Sequence, residues 1–212
     1  MNKFEAIIFD WDGTLAKTLH LWLSGYRLGL ENQNHTFLDS VIARDFFYEH
    51  DKAQEKYPAI DISHVSSEAR EYVKGHVNIL ELYEGVNETL KSLRDGGLKI
   101  ALVSSSPRQL LEAGLKVHNL SDYFSSIIAG DDVTKHKPHP EAFLQTLKLI
   151  SANPEHTLII GDSVTDIIAG KLAKTATCLF TPQENAIFYN FTNSRLLLPD
   201  YEISNIGDLL SI

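Results

Sequence analysis

Asp10 and Asp12 stand one residue apart just after the first apolar run of the chain, Ala6 to Phe9, and Gly13 and Thr14 follow them. A buried strand that breaks into two acids and a glycine is a place to look for chemistry. If the backbone stays extended through Asp12, the two-residue period puts both carboxylates on one side, close enough to share a metal ion or a reacting group. The alternative is an acidic strand end running into an ordinary Asp-Gly turn. Three later positions resemble the first in context. Ser104 closes the apolar run from Leu98 to Val103, Lys137 lies in a polar loop beside Pro138, and Asp162 and Asp166 follow the run from Thr157 to Gly161. Carboxylates, a hydroxyl and an ammonium gathered at one rim suit a divalent cation together with a phosphate. Hard oxygen ligands hold magnesium, and a lysine neutralises a phosphoryl group.

Gathering them requires a particular fold. From Tyr83 onward short apolar runs alternate with helical patterns: a helix over Glu88 to Arg94 stopped by Gly96 and Gly97, then strands over Leu98 to Val103, Ser125 to Ala129, Thr157 to Gly161 and Thr175 to Phe180. The helices between them are marked by Leu110, Leu111, Gly114 and Leu115, by Phe143, Leu144, Leu147 and Ile150, and by Ile167, Ile168 and Leu172. Pro107 reads as a first helical residue with Ser106 as its cap. Together with a first strand over Phe4 to Asp10, this alternation predicts a Rossmann-like α/β fold, a parallel sheet wrapped by helices. In such a sheet ligands bind beyond the carboxyl ends of the strands, where all of these residues fall.

Residues 16–82 read differently. Stripes of Leu19, Leu23, Tyr26 and Leu30, of Leu38, Val41, Ile42 and Phe46, and of Ala69, Val73, Val77 and Leu80 are helical. The polar stretch from Asp51 to Ser63 separates the second stripe from the third, which is expected to start after Ser66 and Ser67. The expected division is a core built from residues 1–15 and 83–212 and a helical insert over 16–82. After Thr181 the pattern supports a sixth strand over Arg195 to Leu198 and a last helical turn over Ile206 to Leu210.

Composition narrows the function classes. Nineteen basic against 28 acidic residues give a net charge of -9, which opposes nonspecific attraction to nucleic acid or anionic lipid. An anionic substrate then needs cations of its own in the site. Cys178, the single cysteine, sits in an apolar run and reads as a buried, inert thiol, in keeping with the reducing cytoplasm. No run is long enough to span a bilayer, and no secretory segment precedes the acidic motif, so a cytoplasmic protein is expected.

With these residues in view the chain resembles the haloacid dehalogenase superfamily. Asp10-Trp11-Asp12-Gly13-Thr14, the apolar run ending in Ser104, Lys137-Pro138 and Gly161-Asp162-Ser163-Val164-Thr165-Asp166 are similar to its four ordered motifs, over about residues 4 to 180. The helical insert matches that superfamily's small cap domain, and Tyr83-Glu84-Gly85-Val86 resembles its phosphoglycolate phosphatase-like and beta-phosphoglucomutase-like branch. The resemblance implies a phosphatase acting on a small phosphate ester in two steps. Asp10 attacks phosphorus, and Asp12 protonates the leaving oxygen and later deprotonates water. It implies Mg2+ held by Asp10, the backbone carbonyl of Asp12, Asp162 and Asp166, and substrate contacts from Ser104 and Lys137, with Thr14 and Ser105 beside them.

Two departures bear on this expectation. Relatives commonly carry an acid where this chain has Lys17, which changes the charge at the entrance. The phosphomutase branch tends to carry an acid at the place of Gly161, which tilts the expectation toward a hydrolase over a sugar phosphomutase. A receiver-type module, the non-enzymatic alternative, lacks the helical insert. Dehalogenation is disfavoured by Asp12, since a halide leaving group needs no acid. His136 and His139 read as loop residues and His20 as an ordinary helix histidine; Arg27, Arg44 and Lys74 are candidate substrate contacts in the insert.

Overall fold

Ala6–Phe9 form β1, a strand with no polar face that is buried on both sides. In the computed structural model, which describes residues 3–47, 50–188 and 198–212, β1 is central. It pairs in parallel with β2 (Lys99–Val103) on one side and β4 (Thr157–Gly161) on the other. With β3 (Ser126–Ile128), β5 (Ala176–Phe180) and β6 (Tyr201–Ile203) the sheet has the order β3-β2-β1-β4-β5-β6, and all its pairings are parallel. The order reverses between β1 and β4. There the loops leaving the two strands diverge and open a crevice.

The two-residue period sorts the strand residues between two layers. Ile7 and Phe9 pack with Leu102 and Ile160 under α5 (Val86–Asp95) and α6 (Arg108–Val117). Ala6 and Ile8 pack with Ala101 and Ile159 under α7 (Glu141–Leu149) and α8 (Val164–Leu172). Cys178 lies inside, where burial pushes its thiol up to about 12.

Helices α1 (Leu19–Asn32), α2 (Asp39–Phe46), α3 (His50–Lys56) and α4 (Ile62–His76) form a block with its own apolar core, centred on Leu23, Tyr26, Leu30, Ile42, Phe46, Val65 and Ala69. Gly25 and Gly29 let α1 lie directly on the backbone of α4 at Ala69 and Val65. The chain enters and leaves the block side by side: Lys17 N donates to the Glu81 carbonyl (2.8 Å) and Tyr83 N to the Leu15 carbonyl (3.1 Å).

Several boundaries differ from expectation, each for a local reason. Helix α4 starts at Ile62, a turn before Ser66, because the Asp61 carboxylate caps it by accepting from His64 N at 2.9 Å. Helix α3 falls inside the stretch expected to be irregular. Leu38, Leu144 and Leu172 are exposed rather than inward, since each stands at the end or edge of a stripe rather than over the core. Pro107, not Ser106, occupies the cap position of α6, and the Asp131 carboxylate caps that end from outside the helix by accepting from Arg108 N at 2.8 Å. The expected strand at Arg195 to Leu198 falls, except for Leu198, outside the described residues; β6 lies at Tyr201–Ile203, and a 3-10 helix covers Ile206–Ser211. Among the described residues no helix is long and apolar enough to cross a membrane.

Candidate active site

The crevice at the sheet's carboxyl edge continues upward under the helical block as one cleft of about 560 Å3. Its floor is built by the loops after β1, β2, β3 and β4, which contribute Asp10, Asp12, Ser105, Ser106, Lys137, Asp162 and Asp166. Leu19, Trp22, Tyr26, Phe47, Ser66 and Arg70 form its roof.

Asp10, Asp162 and Asp166 come together, with a carboxylate oxygen of each within 4.8 Å of the others. All three are buried. Lys137 Nζ bridges two of them, at 2.6 Å from Asp10 Oδ1 and 2.6 Å from Asp166 Oδ1. Burial pushes Asp10 up to about 7 despite the pull of Lys137, with the neighbouring Asp166 and Asp12 charges adding to the rise. Asp162 is raised as well, by burial first and then by the Asp10 and Asp166 charges. Lys137 goes the other way. Burial alone would lower it, but the Asp10 and Asp166 charges outweigh burial and keep it protonated. Three crowded acids against one ammonium leave an excess of negative charge that a divalent cation would neutralise.

A second observation supports a cation site. Asp162 Oδ2 is buried without a hydrogen-bond partner, a costly arrangement unless something positive binds it. Gly13, at φ +78°, turns the chain against that oxygen so closely that a Cβ there would overlap it. The donors are all oxygens, which fits a hard cation.

Asp12 stands outside this cluster. Its Oδ1 accepts from Trp22 Nε1 (2.9 Å), and its Oδ2 accepts from Ser106 Oγ (2.7 Å) and Ser104 Oγ (3.2 Å). Ser106, expected as a helix cap, therefore serves Asp12, and Ser104 is fixed in turn by accepting from Ser106 N (2.9 Å). Ser104 is buried behind the cleft wall, while the exposed Ser105 lines the cleft. Thr14, expected at the substrate, is fully buried; its hydroxyl donates to Asp10 Oδ2 at 3.3 Å and so orients the carboxylate instead. Asp166 has two duties. It completes the capping box of α8 with Ser163 while facing Lys137. Trp11, between the two acids, is buried in the core beneath α6.

The remaining candidates separate cleanly. Arg27, Arg44 and Lys74 pair with Asp39, Asp45 and Glu71 and do not line the cleft. Arg70, one turn before Lys74, does line it. His136 lines the cleft, His139 accepts from Glu141 N at 3.2 Å, and His20 meets the edge of Phe188. Lys17 pairs with Glu184 at 3.1 Å. Trp22, Ser106 and Arg70 were not legible as site residues. Position 22 carried one usable signal, an indole N-H on a helix face that otherwise reads as apolar.

Known proteins similar to this chain point to its family. Residues 7–180 match the model of the haloacid dehalogenase-like hydrolases. The pyrophosphatase PpaX of Bacillus mycoides is 33% identical over 217 residues, covering 99% of this chain and 97% of that protein. A Haemophilus somnus structure described as a predicted phosphoglycolate phosphatase superposes with a TM-score of 0.82 at 24% identity, covering 100% of this chain and 98% of the other. A HAD family hydrolase from Deinococcus radiodurans, with bound phosphate and sodium, superposes at 0.76 and 21% identity, covering 98% and 93%. With the matched residues running from β1 through β5 and so including all four loops that build the cleft floor, the chain belongs to the haloacid dehalogenase-like hydrolases.

Proposed function

We propose that this hydrolase is a magnesium-dependent phosphatase of small phosphate esters or anhydrides, working through an aspartyl-phosphate on Asp10. The observation that carries this reading is the buried group of Asp10, Asp162 and Asp166 around Lys137, with Asp162 Oδ2 left unpaired. Mg2+ bound by Asp10, Asp162 and Asp166 would supply the charge that lets an anionic carboxylate approach an anionic phosphate.

The chain's own residues then do the following. An Asp10 oxygen forms a bond to phosphorus while the bond to the leaving oxygen breaks, and Asp12 gives that oxygen a proton. Asp12, now a carboxylate, takes a proton from water as the water oxygen attacks the aspartyl-phosphate. Phosphate leaves, Asp10 is regenerated, and Asp12 again holds its proton. The arrangement with Trp22, Ser104 and Ser106 donating to Asp12 suits the carboxylate form that meets the water. Lys137 and the backbone around Ser105 stabilise the phosphoryl oxygens. Residues 16–82 would act as a cap whose roof residues exclude bulk water from these steps.

The phosphomutase reading is weaker on one physical ground. A Cβ at Gly161 would overlap Asp166, so the acid expected there in that branch has no room. Because the PpaX relatives are named pyrophosphatases, inorganic pyrophosphate belongs among the candidate substrates. The test is phosphate release from pyrophosphate, phosphoglycolate, sugar phosphates and nucleotides with and without Mg2+. Release from a subset, lost on chelation, is expected; no release from any would overturn the reading.

A further inference from the structure

The roof of the cleft is apolar and aromatic at Leu19, Trp22, Tyr26 and Phe47. Arg70 interrupts it. Among the described residues the cleft is lined by two strong cations, Arg70 above and Lys137 below. Lys137 is committed to Asp10 and Asp166, both at 2.6 Å. Arg70 is committed to little: its Nε donates to the Ser66 carbonyl at 3.1 Å, one turn back on α4. That bond aims the side chain and leaves the terminal nitrogens, the fork that grips a carboxylate or phosphate, without a partner among the described residues. The other cations of the block with recorded partners are neutralised by acids: Arg27 by Asp39, Arg44 and Lys56 by Asp45, and Lys74 by Glu71. Among the described residues no acid lines the roof, and the cleft acids all lie on the floor.

We propose that Arg70 determines specificity by binding a second anionic group, carried on the leaving side of the substrate. This rests on the phosphatase reading above and narrows its substrate class to small phosphate esters or anhydrides whose leaving group is itself charged. The logic is electrostatic. A protein of net charge -9 repels a doubly anionic ligand unless each charge meets a local cation, and a roof cation 'above' a floor cation supplies two separated points. Two sources of the second charge share this chemistry, a carboxylate and a phosphate.

The experiment compares wild type, Arg70→Ala and Arg70→Lys on three substrates with Mg2+. Phosphoglycolate carries a carboxylate, pyrophosphate a phosphate, and p-nitrophenyl phosphate no second anion. Arg70→Ala is expected to lower kcat/KM about ten- to a hundredfold on at least one of the first two, mainly through KM, the size of a lost charged hydrogen bond. On p-nitrophenyl phosphate it should change little. Arg70→Lys should recover part of the loss, and added guanidinium should restore part of it in Arg70→Ala. The substrate that suffers more identifies the source of the second charge. Equal losses on all three substrates, or no loss on any, overturn the proposal while leaving the phosphatase reading intact. Failure of the wild type to cleave any of the three overturns this inference, whereas the phosphatase reading falls only if the sugar phosphates and nucleotides of the wider panel are not cleaved either.

Discussion

Lys137 Nζ lies 2.6 Å from Oδ1 of Asp10, and both side chains are almost wholly buried. An ammonium placed there counters the charge on Asp10 and, through Asp166 at the same distance, the crowding of the acid cluster. Lys137→Met leaves those acids without a cation. Breaking a buried pair on one side costs on the order of 3 kcal/mol, so the unfolding midpoint of the Mg2+-free protein should fall clearly at pH 8. Phosphate release should fall with it. An unchanged midpoint would mean that the pair contributes nothing to the fold.

The raised acids link stability to pH. Asp10 takes up its proton near pH 7 in the folded chain but near 4 when unfolded, so between those values the folded state binds more protons. Its contribution is therefore full below about pH 4 and is lost as pH rises through about 7. Asp162, raised by the same burial, acts in the same direction. Mg2+ needs these groups ionised, so the rise in melting temperature it produces should be small at pH 5 and larger at pH 8. Calorimetry with and without Mg2+ at the two values checks the sign.

Asn185 ties the segment after β5 to the first motif. Its Oδ1 accepts from the Tyr83 hydroxyl at 2.9 Å, and its Nδ2 donates to the Gly13 carbonyl at 3.2 Å, all within the interior. Asn185→Ala strands both partners, and a loss of about 2 kcal/mol in denaturant unfolding is expected. Glu184→Ala, one residue away, breaks only a half-exposed pair with Lys17 and should cost roughly 0.5 kcal/mol or less. Equal effects from the two would contradict this division.

Gly161 has no space for any side chain, because a Cβ there would overlap the Asp166 carboxyl group. Gly161→Ala should displace Asp166, weaken Mg2+ binding and lower phosphate release at least tenfold, without creating mutase activity. Titration of Mg2+ against activity measures both effects. A Gly161→Ala protein with wild-type Mg2+ dependence would show that Asp166 is not needed where it stands.

What could be read from the chain depended on where the partners lie. The strands were legible because a fully buried strand is an unbroken apolar run, and Thr157 to Gly161 matched to the residue. The acids and Lys137 could be placed at one rim because each follows such a strand. Ser106, Trp22 and Asn185 were hidden because their meaning comes from atoms 94, 10 and 172 residues away, and local pattern carries no direction for a side chain. Arg70 and Lys74 stand one turn apart on α4, and what separates them, the Glu71 partner of Lys74 and the position of Arg70 at the cleft, is set by the fold and not by helical spacing. The early start of α4 was readable at Asp61, a capping acid just before Ile62, but the serines at 66 and 67 competed for that role. Helix α3 offers one buried apolar residue among those described, Ala53, and so no stripe.

The central claim is that phosphate passes through Asp10. Rapid acid quenching during turnover, followed by borohydride reduction, converts an aspartyl-phosphate to homoserine, which peptide mass spectrometry locates. Homoserine at position 10, absent without substrate and absent in Asp10→Asn, is the expected result. Continued phosphate release with no modification at position 10, or with modification at another residue, would contradict the account.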